Sequence, residues 1–296
     1  LNNEDKIKLI FNSVLNIKLD RINALGGMTN FNFLAYSGED KFVVRLPGNS
    51  SNKMINREFE KINQSESSKY GFNVETLVFS EESGVKITRF LENSQTLKQE
   101  TICNYLTLIA TKLKEIHNSD MQFKNLFNPS NELKKYLTLV NSDSFNIFSD
   151  FKKSIDLFDK LVEKINFINK NNKNYKLAPT HGDLVPENIL YCEKDKRIYI
   201  IDWEYSGLND ICWDIASLFL EGNLSKKQEN IFLDTYKIKD NEYEKIEIFK
   251  SIQDILWCTW TLVKLSNKNI INRGEIEHEY RKYAAKRLKN ALLRKC

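Results

Sequence analysis

Apolar and polar positions recur along this chain with two periods, and the change from one to the other divides it. Ile7, Ile10, Phe11, Val14 and Leu15 return at helical spacing between Glu4 and Leu15, which predicts an amphipathic helix packed on the first lobe. Leu25-Gly26-Gly27-Met28-Thr29-Asn30-Phe31-Asn32-Phe33 reads as strand, turn and strand, and Lys41 to Leu46 as a strand closed by Pro47-Gly48. Asn56 then opens a helix with Ile55, Phe59 and Ile62 on one face. Val74 to Phe79 and Gly84 to Thr88 are further strands around the polar turn Ser80 to Ser83, and Thr88 to Asn93 crosses from sheet to a helical region. Past that crossing Leu97, Ile102, Leu106, Ile109, Ala110, Leu113 and Ile116 form one buried stripe ending near His117, which reads as a helix-end residue rather than a ligand. Phe145 to Asn169 is a second long helix, and Asn169 to Lys176 a solvated loop. The expected fold is α+β: a small antiparallel-sheet lobe over residues 1–92 and a larger, mostly helical lobe over 93–296.

Composition narrows the function classes. A chain of 296 residues is long enough for two lobes and a substantial core. Charged residues are 28% and hydrophobic ones 41%, with a net charge of +4 and the two signs interspersed, so a nucleic-acid partner is not expected. The five cysteines (Cys103, Cys192, Cys212, Cys258 and Cys296) form no C-x-x-C pair and read as reduced thiols of a cytoplasmic protein. No apolar run approaches the roughly 18 residues of a membrane span, and the polar Asn2 to Lys8 is no signal peptide. The sequence starts at Leu1 rather than Met and reads as truncated or processed.

The chemistry concentrates between Thr180 and Glu204, THGDLVPENILYCEKDKRIYIIDWE. The order H-x-D-x-x-x-x-N, a hairpin, then I-D is the layout of a kinase catalytic loop and its metal-binding Asp. Asp183 would orient an attacking hydroxyl and accept its proton, while Asn188 and Asp202 would hold Mg²⁺ against the phosphates of ATP. Pro186 restricts Val185 and keeps the loop extended, and a hairpin of Ile189–Cys192 with Arg197–Ile201 would return Asp202 beside Asn188. The turn containing Gly27 and Thr29 would bring N–H groups and a hydroxyl near phosphate oxygens, or is a plain hairpin turn. Further on, Trp257 and Trp260 are spaced to share one helix face, as are Tyr280 and Tyr283.

HGDLVPENIL followed by IDWEYSG resembles the choline/ethanolamine kinase family, bacterial members included, and more distantly the aminoglycoside phosphotransferases. The likeness spans nearly the whole chain and is strongest from 180 to 221. It implies a two-lobed protein-kinase-like fold and transfer of the ATP γ-phosphate to the hydroxyl of choline, for phospholipid head groups or, in bacteria, surface polymers. By that resemblance Gly27, Thr29 and Asn30 form the short phosphate loop and Arg45 takes the place of the protein-kinase lysine. Glu58 is the candidate to pair with Arg45, with Glu60 as competitor, and Arg89, Phe90 and Leu91 border adenine. Asp214 braces the catalytic loop. The W-x-x-W helix and a late Tyr-Ala-x-x-Arg imply a choline cage of Tyr205, Glu221, Trp257, Trp260 and Tyr283. Aromatic faces suit a quaternary ammonium, which has no N–H to donate. One departure is Val185, where several family members carry Gln and Val cannot hydrogen-bond the alcohol. The rival readings are an ethanolamine kinase, an aminoglycoside phosphotransferase, whose bulky polycationic substrate would need a broad acidic cleft, and an inactive kinase-like binding protein. The expected partner is a small amino alcohol, and a homodimer is left open.

Overall fold

The computed structural model describes residues 2–25, 30–48, 54–266 and 273–294. In chain order its elements are α1 (Asn3–Ile10), β1 (Arg21–Leu25), β2 (Asn30–Ser37), β3 (Asp40–Pro47), α2 (Arg57–Lys69), β4 (Thr76–Phe79), β5 (Lys86–Arg89) and β6 (Ser94–Thr96). There follow α3 (Leu106–His117), α4 (Pro129–Leu139), α5 (Ser142–Phe145), α6 (Phe151–Lys170), β7 (Ala178–Thr180), β8 (Ile189–Cys192), β9 (Arg197–Ile200) and β10 (Gly207–Asn209). The chain ends in α7 (Ile211–Glu221), α8 (Lys226–Tyr236), α9 (Asp240–Ser266) and α10 (Arg273–Leu293). The expected α+β architecture is observed. Two compact units share it: Leu1–Leu97 with Met121–Phe123 and Asn188–Glu204 make the first, and the remaining residues the second.

In the first unit β1-β2-β3-β5-β4 form an antiparallel sheet in which Arg45 and Lys86 are direct partners across β3 and β5. Strand side chains alternate between faces, so Phe42, Val44 and Leu46 go to a core with Ile7, Phe11, Phe33, Ala35 and Ile87. The expected amphipathic helix supplies Ile7 and Phe11, with the Phe11 ring edge-on to Phe42 at 5.2 Å. Val14, predicted on the same stripe, is instead 60% exposed, because the helix widens into a π-turn over Phe11–Leu15 and its face rotates.

The helix begins at Asn56 as predicted, and the Asn56 side chain caps it, accepting from the Phe59 N–H at 3.1 Å. The burial of α2 differs from its pattern. Arg57, Glu60, Asn63, Gln64 and Ser67 face inward, while Phe59 and Ile62 are only half-buried. A second sheet, β6-β8-β9, carries the predicted hairpin into this unit.

The second unit is mostly helical. The whole predicted stripe from Ile102 to Ile116 is buried there, at 2% exposure or less. The single helix expected from Phe145 to Asn169 is divided: the four-residue α5 ends at Phe145 and α6 begins at Phe151. Asp210 caps α7, accepting from the Cys212 N–H at 3.0 Å. Among the described residues no helix is long and apolar enough to cross a membrane.

Candidate active site

In the first unit three cations meet three carboxylates. Arg45 Nη1 lies 2.6 Å from Glu60, 3.0 Å from Asp202 and 3.3 Å from Glu204. Lys86, across the ladder, reaches the same Asp202 oxygen at 3.1 Å. Arg57 reaches Glu60 at 2.5 Å and Glu204 at 3.3 Å. Arg45 therefore pairs with Glu60, not with Glu58, which is exposed to solvent. The reason is the inward polar face of α2, which presents Arg57 and Glu60 to the sheet and turns Glu58 outward. Burial opposes the Arg45 charge, yet Glu60, Asp202 and Glu204 outweigh it and keep the guanidinium firmly protonated. Burial also opposes the Glu60 charge, and Arg45 and Lys86 hold that carboxyl below its usual range. Glu204 goes the other way: burial, then the neighbouring Asp202 charge, push it up to about 7.

Sequence reasoning gave no role to Lys86, Arg57 or Glu204. The strand alternation that pairs Lys86 with Arg45 was the available signal for the first.

The hairpin brings the Ile201 N–H to the Asn188 carbonyl at 2.9 Å, so Asp202 follows directly beside Asn188. Asp202 itself holds a left-handed backbone, φ 67°, uncommon for a residue other than glycine. Single oxygens of Glu60, Asp202 and Glu204 lie within 4.8 Å of one another. An all-oxygen donor set of this kind fits a hard cation such as Mg²⁺.

Of the phosphate-loop candidates, Gly27 and Thr29 lie outside the described residues. Asn30 opens β2 opposite Pro47, and its buried Oδ1 has no partner among the described residues. Arg89 is exposed and ion-paired to Glu75 at 2.7 Å. The Phe90 N–H donates to the Lys41 carbonyl at 3.0 Å, and the Leu91 carbonyl accepts from Ser94 Oγ at 2.6 Å.

The second unit holds Asp183 in a braced turn. Buried Asp214 accepts from the N–H groups of His181 at 2.8 Å and Gly182 at 2.9 Å, as expected of it, and lies 3.1 Å from His117 Nε2. His117 is thus a buried bridge between Asp214 and the Tyr236 hydroxyl, 2.8 Å away. Ser217 Oγ accepts from the Leu184 N–H at 3.1 Å, and the Gly182 carbonyl accepts from the Trp213 indole at 2.9 Å. Gly182 has φ +87°, and a Cβ there would sit 2.2 Å from the Tyr205 carbonyl oxygen. The position admits only glycine.

The cage candidates gather in the same unit. Tyr205 meets Trp257 edge-on at 5.4 Å, and the Trp260 indole donates to the Tyr205 hydroxyl at 3.0 Å. Trp260 meets Tyr280 edge-on at 6.3 Å, and Arg287 donates to Asp254 at 3.0 Å. These two pairs set α9 and α10 in an antiparallel register that brings Tyr283 opposite Trp257. Burial and the Glu221 charge push the Tyr283 phenol well up against the pull of Arg287, and Asp183 adds to the rise. Asp183 is therefore within electrostatic reach of Tyr283. Glu221 is held by Arg287, a residue quoted in the Tyr-Ala-x-x-Arg string but given no role from sequence.

A sequence model of the choline/ethanolamine kinase family matches residues 21–247. Protein LicA of Haemophilus influenzae is 40% identical over 255 residues, which cover 82% of this chain and 73% of that protein. The crystal structure of choline kinase LicA from Streptococcus pneumoniae superposes with a TM-score of 0.83 at 32% identity, covering 97% of this chain and 99% of the other. A structure of LicA in complex with AMP follows at 0.82 and 30%, covering 98% of this chain and all (100%) of that one. With the kinase-type loop, the hairpin and these matches in agreement, the chain belongs to the choline/ethanolamine kinase family and is an ATP-dependent phosphotransferase acting on an alcohol.

Proposed function

We propose that this enzyme phosphorylates choline, giving phosphocholine and ADP. The observation that carries the choice of alcohol is the group of aromatic side chains in the second unit, Tyr205, Trp257, Trp260 and Tyr283, with Asp183 in electrostatic reach of the last. Ring faces attract a quaternary ammonium by roughly 0.5–2 kcal/mol each and ask for no hydrogen bond in return. The choline kinase relative supports the acceptor, and the AMP complex of LicA supports the nucleotide.

In this reading Asp183 takes the hydroxyl proton as the choline oxygen bonds to the γ-phosphorus and the bond to the ADP oxygen breaks. Arg45 and Lys86 hold phosphate oxygens, for which a guanidinium offers a bidentate fork and an ammonium a point charge. Asn188 and Asp202 would hold Mg²⁺, which would neutralise phosphate charge. Asp214 keeps the His181-Gly182 turn in place so that Asp183 need not reorganise during transfer.

A coupled ADP-release assay over a panel of amino alcohols tests the proposal. Choline is expected to show the highest kcat/KM, and Asp183→Ala to lower kcat by roughly 10²–10⁴-fold with intact folding. Higher kcat/KM for ethanolamine would reassign the acceptor, and near-normal turnover in Asp183→Ala would remove the base.

A further inference from the structure

The Glu221 carboxylate, the acidic member of the cage, is engaged by the protein itself. Arg287 donates from Nη2 to Glu221 and, at 2.8 Å, to the Tyr283 hydroxyl, and from Nη1 to Asp254 at 3.0 Å. Its guanidinium carbon also lies 4.8 Å from the centre of the Tyr283 ring. Arg294 donates to the other Asp254 oxygen at 2.9 Å. Glu221 and Asp254 are thus both engaged by guanidinium groups, and Glu221 meets the cage as half of an ion pair.

We infer that Arg287 is a specificity-determining positioning residue, which pairs with Glu221 so that ring faces, not a free carboxylate, attract the substrate cation. The inference rests on the proposed amino-alcohol acceptor and deepens it. A primary ammonium brings three N–H donors and a tightly held hydration shell, and it needs acceptors when it leaves water. A carboxylate committed to Arg287 offers it few. A quaternary ammonium has no donors to satisfy, so rings serve it well. The pairing therefore penalises ethanolamine more than choline. Without Arg287, Glu221 would be released as an acceptor and a local negative charge, while Asp254 would keep Arg294.

The readout is the ratio of kcat/KM for choline to that for ethanolamine, with folding followed by circular dichroism. In Arg287→Met the ratio is expected to fall about tenfold or more, because the released Glu221 helps the primary amine most. In Glu221→Gln both substrates are expected to lose efficiency together, with the ratio held within about threefold. The double variant is expected to return to within about threefold of the wild-type ratio. An unchanged ratio in folded Arg287→Met, or a selective loss of ethanolamine turnover in Glu221→Gln, overturns the inference. If Arg287→Met does not fold, Glu221→Gln decides alone, since a direct ammonium ligand and a neutralised one predict opposite results there. Wild-type enzyme that turns over neither alcohol overturns the proposed function itself, an outcome distinct from wild-type turnover with unmoved ratios in the variants.

Discussion

Arg45 is 3% exposed and depends on its neighbours for its charge to be tolerated. Glu60, with no exposed side-chain surface, serves both Arg45 and Arg57. Removing one partner from a buried ion pair leaves the other uncompensated, a loss of about 3–5 kcal/mol. Because Arg45 and Arg57 keep Asp202 and Glu204, Glu60→Gln is expected near the lower end of that range, read by urea denaturation, with a raised KM for ATP. Glu58→Gln, at an exposed position, is expected to change neither. The sequence alone could name both glutamates but not choose between them. Pattern reading assumes that apolar residues mark the inner face, and Ile55, Phe59 and Ile62 pointed that way. In α2 the inner face is the polar one, and the ion pairs that make this tolerable come from β3, β5 and the hairpin, far away in sequence. Asp183, Asn188 and Asp202 could be named as candidates because one short segment contains all three.

At the scale of elements, α7 does for the catalytic loop what packing alone would not. Asp214 at its first turn accepts two loop N–H groups, and Ser217 one turn later accepts a third. A buried backbone N–H needs an acceptor, and α7 supplies one to each of these three, so the helix holds the turn by hydrogen bonds. Asp214→Asn would remove the charge and present a donor to donors. The expected result is a kcat about 10²-fold lower, as for a base displaced by about 1 Å, with the KM for ATP little changed, measured by steady-state kinetics. The hairpin and the start of α2 at Asn56 were readable because each depends on neighbours within a few positions. The π-turn after α1 and the division of α5 from α6 were not, since both are local departures from helical period that leave no mark in hydrophobicity.

Across the whole molecule the candidate residues are divided between the two units. The phosphate and metal candidates Arg45, Lys86, Asn188 and Asp202 lie in the first, and Asp183 with the aromatic cage in the second. Binding of nucleotide and transfer of phosphate should therefore separate by mutation. At 100 times its Kd, MgATP stabilises a protein by about 2.7 kcal/mol. Asp183→Ala is expected to keep the corresponding thermal shift while losing turnover, and Arg45→Met to lose the shift, both measurable by differential scanning fluorimetry.

The first unit is also assembled from separated stretches of chain, with residues 188–204 supplying Asp202 and Glu204 to a cluster otherwise drawn from the first 97. Excised at residue 97, the amino-terminal piece would keep Arg45, Arg57 and Lys86 crowded together with Glu60 alone to answer them. It would also leave β6 as a bare edge, stripped of β8. The first unit is thus no portable cassette. Its ion-pair cluster is complete only with residues 188–204 present, so any chimera built on this unit must carry the hairpin along.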